Sequence, residues 1–96
     1  MRSIKQIERK ISVGGMVVGR WYRLITINNN EYIFKYNGIK VNRSGDDCVG
    51  REYSYCVNCR TYESPSCVSV CSVKHINELW VASNDIVLKY FDESKL

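Results

Sequence analysis

Ninety-six residues, 45% hydrophobic and 25% charged, suffice for one domain (1–96) with a small core and are too few for two. One proline and no low-complexity tract argue against long disorder, and no run approaches the ~18 apolar residues of a membrane span. The N-terminal MRSIKQIERKISVGG has no apolar stretch of the kind a signal peptide needs, and five cysteines are an odd number for a disulfide framework, so a cytoplasmic chain with reduced thiols is expected.

Ser3 and Gln6 fit a capping box, and Ile4, Ile7 and Ile11 follow at helical spacing. The pattern predicts a short helix over 4–11, or a strand-like arm if the isoleucines pair with a sheet; Gly14 and Gly15 end it. Strand signals then take over in MVVGRWYRLITI (16–27), where β-branched and aromatic residues crowd together. NNN (28–30) reads as a turn and EYIFKY (31–36) as the returning strand. Asn37-Gly38 is a hairpin signal of the type I′ kind, with IKVNR (39–43) coming back from it and SGDD (44–47) as a loop. GREYSYCVNCRTY (50–62) and CVSVCSVKHI (67–76) alternate as strands around ESPS (63–66). Ser83 looks like an N-cap, with Ile86, Val87, Tyr90 and Phe91 near helical spacing over 84–91. Helix, five short strands, helix is mainly β: a small five-stranded barrel or a strongly bent antiparallel sheet.

CVNCRTYESPSCVSVC (56–71) holds four of the five cysteines and allows three readings: a zinc site, a local disulfide or redox pair, or buried thiols serving as small hydrophobes. Cys56 and Cys59 have a knuckle's spacing, but Val57-Asn58 between them continues a strand pattern. A hairpin turning at 63–66 pairs Asn58 with Cys71 and Cys56 with Val73. Cys56, Cys67 and Cys71 then share one side and Cys59 faces the other, which no single metal can span. No metal and no cofactor is therefore expected, with a small zinc-binding structural protein as the remaining alternative.

Catalytic sets are scarce. His75 is the only histidine, and Cys71 four residues away would lie roughly 13 Å from it along an extended strand. SVGGMVVG lacks the Lys and Ser/Thr of a phosphate loop. An enzyme is not expected. What remains is surface. Residues 1–43 carry nine Lys/Arg against Glu8 and Glu31, a balance of +7, whereas 44–96 carry five against eight acids, a balance of −3. Arg20, Trp21, Tyr22 and Arg23, with Lys35 and Tyr36, interleave cations and aromatics, the residue types of interface hot spots and of base-stacking platforms. Trp21 and Tyr22 alternate, so one is expected in the core and the other free for a partner.

The run VVGRWYRLITINNNEYIFKYNGIKVNR resembles small SH3-like barrel proteins of phages and bacterial mobile elements, which combine a Gly-basic-Trp-Tyr segment, an Asn-rich turn and an aromatic strand. VASNDIVLKYF (81–91) is similar to their C-terminal short helix, with Ala82, Ser83 and Asp85 in matching places, while the cysteine-rich segment departs from the pattern. The resemblance implies an SH3-like barrel, a monomer or homodimer, that binds a host protein or protein complex and modulates it. Inhibitors of host defence such as anti-CRISPR proteins are of this size and style. Nucleic-acid binding by a small SH3-like or OB-like barrel is the alternative.

Overall fold

In the computed structural model, which describes residues 9–49, 55–61 and 71–96, alternating burial organises seven short strands. In chain order they are β1 (Trp21–Thr26), β2 (Glu31–Lys35), β3 (Ile39–Val41), β4 (Asp47–Val49), β5 (Cys56–Asn58), β6 (Cys71–Ser72) and β7 (Ile76–Val81). One helix, α1 (Asn84–Val87), and three single 3-10 turns complete them. The strands form two antiparallel sheets, β5-β2-β1-β7 and β3-β4-β6, that do not close into a barrel. The mainly β class stands; among the described residues seven strands in two sheets take the place of a five-stranded barrel.

The first hairpin forms as the sequence implies. β1 and β2 pair from Trp21 opposite Lys35 to Ile25 opposite Glu31. Asn29 takes a φ of 69° in the turn, a left-handed conformation that asparagine tolerates. Thr26 Oγ1 accepts from Asn30 N at 2.9 Å and donates to Asn28 Oδ1 at 2.5 Å, which closes the loop locally. The strand starts at Trp21, not at Met16, because the chain turns at Gly19, whose φ of 93° suits glycine.

Three expectations fail for identifiable reasons. Asn37-Gly38 does not return the chain onto β2. A type I′ turn needs positive φ at both central residues, and only Gly38 has it, at 100°. The chain instead crosses to the second sheet, where β3 pairs with β4 around a turn in which Asn42 Oδ1 accepts from Ser44 N and Asp46 N, each at 2.9 Å. Among the described residues the cysteine hairpin is likewise not formed: β5 lies beside β2, with Cys56 opposite Phe34 and Asn58 opposite Tyr32, while β6 lies beside β4. Residues 62–70, including the expected turn and Cys67, lie outside the described residues. Finally, the strand expected to end at Ile76 breaks earlier. Val73–His75 makes a 3-10 turn and β7 begins at Ile76.

Of the expected N-terminal helix, residues 4–8 lie outside the described residues. Residues 9–11 are the strand-like arm: Val81 N donates to Arg9 O at 2.7 Å and Ile11 N to Leu79 O at 3.0 Å, with Lys10 bridged to Trp80.

Two cores sit on opposite faces of the four-stranded sheet. Tyr22, Leu24, Phe34, Tyr36, Val49, Cys56, Leu79 and Met16 fill the space between the sheets. Trp21, Ile33, Val57, Ala82 and Val87 form the other, closed over by Ile86, Tyr90 and Phe91 of the C-terminal segment. Each fully buried apolar side chain contributes ~1.5–3 kcal/mol. Ser83 caps α1, its Oγ accepting from Ile86 N at 3.3 Å. Ser83→Ala is expected to lower stability by ~1 kcal/mol, read as a shift in urea midpoint with unchanged slope. Among the described residues no helix is long and apolar enough to cross a membrane.

Candidate functional site

β1 has no free face at its start. Trp21 is 6% exposed and Tyr22 2%, so the expectation that one of them points to a partner is overturned. The reason is that the sheet is covered on both sides there. Tyr22 enters the inter-sheet core, where its hydroxyl accepts from Val17 N at 2.7 Å. Trp21 lies against Phe91, ring centroids 4.8 Å apart and planes tilted by 44°, and its Nε1 donates to Lys95 O at 3.2 Å. Tyr36 is also buried, its ring edge-on to Tyr22, and burial raises its hydroxyl pKa. Lys35 lies on the outer side with its Nζ 5.4 Å from the Tyr55 ring, which Lys95 shares at 5.1 Å. Arg20 is exposed just before β1. The six residues therefore do not form one surface.

The structure assembles a different group from the alternation of three strands and the arm. Arg23 stands opposite Trp80, and Trp80 opposite Lys10. The indole thus stands between two cations, Lys10 Nζ at 5.8 Å and Arg23 Cζ at 5.7 Å from its centroid. Its Nε1 donates to Glu78 Oε1 at 3.0 Å, and Arg23 Nη1 donates to Glu31 Oε2 at 3.0 Å. Trp80 is half-buried and belongs to neither core cluster. The C-terminal segment covers the Trp21 end of this outer face. Two cations, two carboxylates and an aromatic surface make a zone of mixed charge. The +7 balance of the first half does not give a uniformly basic face here, because Glu78 from the acidic half lies across β1 from Glu31, both opposite Ile25.

Of these residues, Arg23 was legible as a site residue and Trp80 and Lys10 were not. Alternation of Glu78 and Trp80 with Leu79 and Val81 in INELWV is the signal that identifies the strand, and a bulge opposite Ile25 and Thr26 puts Ile76 on the Leu79 side.

Three of the described cysteines divide between the two cores. Cys56, 1% exposed, and Cys71 belong to the inter-sheet side, whereas Cys59 packs against the outer core. The opposed facing of Cys56 and Cys59 is thus present, with β2 as the neighbouring strand. Burial pushes the Cys59 thiol pKa up, against a hydrogen bond with Tyr90, and Glu31 adds to the rise.

Cys71 and His75 line one cavity of about 220 Å³ with Thr26, Ile27, Asn28, Asn30 and Tyr32. The separation expected of an extended strand does not apply, because the 3-10 turn over Val73–His75 curls the chain. Burial, helped by Cys48, pushes the Cys71 thiol from the ordinary 9.0 up to about 12, so it is a thiol at neutral pH and a poor nucleophile. The folded state holds this proton more tightly. Its contribution to stability is complete below pH 9.0 and is lost as pH rises towards about 12. Alkylation of Cys71 in native protein is expected to keep accelerating above pH 9.0, where an unburied thiol levels off, as read by peptide mass spectrometry. Denatured protein should titrate all five thiols, and one zinc per chain by elemental analysis would contradict the buried-thiol reading.

No protein-family model matches the chain, and no curated protein or solved structure matches it either.

Proposed function

We propose that this protein is a non-enzymatic binding module that engages a partner protein through the open half of the outer sheet face, centred on Trp80, Lys10 and Arg23. The observation that carries this reading is Trp80 itself: a half-buried indole outside both cores, held upright between two cations. Trp and Arg are the side chains that most often dominate interface energy. The interleaved carboxylates Glu31 and Glu78 suit a protein surface of mixed charge and oppose a row of phosphates. The same aromatic-cation group supports single-stranded nucleic acid as the second reading, since bases stack on indoles. The resemblance to SH3-like phage and mobile-element proteins fits a host protein as partner, with inhibition of host defence as the role. The protonated thiol of Cys71 is in keeping with a binding rather than a catalytic protein.

The test is parallel capture from host lysate by wild-type protein and Trp80→Ala, with mass spectrometry of what is retained and affinity measured on the isolated prey. A prey held by wild type and lost by the variant, at unchanged fold, is expected. Equal retention by both would remove this face from the function.

A further inference from the structure

We infer that the cavity lined by Asn28, Asn30 and His75 is a binding site for a nucleobase, a flat uncharged heterocycle with a polar edge. The site is distinct from the Trp80 surface and does not depend on it. Its walls come from both sheets, with Thr26 and Tyr32 from the four-stranded one and Cys71 from the three-stranded one. Ile27 N donates to His75 O at 2.9 Å and ties the β1–β2 turn to the 3-10 turn over Val73–His75.

Size and chemistry select the ligand. About 220 Å³ is below the ~300–1,000 Å³ that holds drug-sized molecules, so a single ring system fits better than an extended one. Among the described residues no Asp, Glu, Lys or Arg lines the cavity, so they supply no full charge for an ionic ligand. The Cys71 thiol stays protonated, so that wall is neutral as well. Ile27, Tyr32 and Cys71 offer apolar and aromatic surface for the faces of a ring.

The polar groups are available. Asn28 uses its Oδ1 to accept from Thr26 and leaves its Nδ2 donors unused among the described residues. Asn30 is anchored through its backbone, by Asn30 N to Thr26 Oγ1 and Thr26 N to Asn30 O, each at 2.9 Å. Its carboxamide and the His75 imidazole make no hydrogen bond among the described residues. A carboxamide offers a donor and an acceptor side by side, the pattern that matches the edge of a base. A sugar, with hydroxyls around its whole rim, would leave several unpaired against the apolar walls.

The experiment is a titration of ¹⁵N-labelled full-length protein with adenosine, cytidine, guanosine, uridine and, as the contrasting ligand, glucose. One or more nucleosides at millimolar concentration are expected to shift the side-chain amides of Asn28 and Asn30 and the ring nitrogens of His75, while glucose does not. Asn30→Ala and His75→Ala should each weaken binding by ~5-fold or more, with melting temperature nearly unchanged because neither side chain makes a hydrogen bond among the described residues. A short oligonucleotide of the preferred base that binds more than ~10-fold tighter, in a salt-dependent way, identifies the source as single-stranded nucleic acid; equal affinity identifies a free nucleoside. No shift with any nucleoside, equal shifts with glucose, or full affinity in both variants would overturn the site. None of these results bears on capture by the Trp80 face, so the two readings fail separately.

Discussion

Trp21→Ala is expected to lower stability by ~3–5 kcal/mol, a large part of the ~5–15 kcal/mol available to a domain of this size. Trp21 is 6% exposed at the centre of the outer core, where Ile33, Val57, Ala82 and Val87 gather. Its ring meets Phe91 at 4.8 Å and Tyr55 at 6.2 Å, and its Nε1 holds the carbonyl of Lys95. One side chain therefore fastens the C-terminal segment to the sheet. Removing it leaves a cavity, strips an aromatic contact and frees the chain end together. Urea unfolding followed by far-UV circular dichroism should show the midpoint falling by roughly 1–3 M. A loss below ~1 kcal/mol would mean that the C-terminal segment closes over the gap or contributes little to the fold.

Arg20→Glu is the informative contrast, because an exposed charge contributes little to stability. Arg23→Glu is not equivalent to it. Arg23 pairs with Glu31 and leans on Trp80, so the reversal places two carboxylates together beside a half-buried indole.

The residues that were legible in the sequence are those whose partners are close in the chain. The β1–β2 hairpin follows from alternation and from three asparagines at its turn. Ser83 announces α1 because capping is a local hydrogen bond. The failures concern choices that local pattern leaves open. Asn37-Gly38 has turn chemistry, but whether the next strand pairs with β2 or crosses to another sheet depends on Asn37 keeping a negative φ. Cys56 and Cys71 both alternate in strand-like runs, yet nothing near either says that β2 claims one and β4 the other. Alternation puts Trp21 and Tyr22 on opposite faces, as the two cores show. Alternation does not tell that a second sheet covers one face and the C-terminal segment the other, so neither side is exposed. Trp80 carries no local signal because INELWV follows a run that reads as a complete strand, and the 3-10 turn dividing them has no proline or glycine to mark it.

Trp80→Ala is expected to reduce partner affinity by ~30-fold or more, equivalent to the ~2 kcal/mol that marks a hot spot. The same change should cost the fold only ~1 kcal/mol. It removes two cation–aromatic contacts of ~0.5–1 kcal/mol each, partly offset by rehydration of Lys10, while Arg23 keeps its ion pair with Glu31. This separation between binding and stability is what distinguishes Trp80 from Trp21, whose loss should damage both. Lys10→Glu provides the second arm. Lys10 is exposed, so the fold should tolerate the change, and the effect should fall mainly on association rate and fade as salt increases. A partner held by the indole and steered by the cation predicts that Trp80→Ala accelerates dissociation at every salt concentration, whereas Lys10→Glu slows association only at low salt. Surface plasmon resonance on the isolated prey separates the two. If affinity instead drops only when Asp46 and Asp47 are changed, the acidic half of the chain carries the contact and the Trp80 face does not.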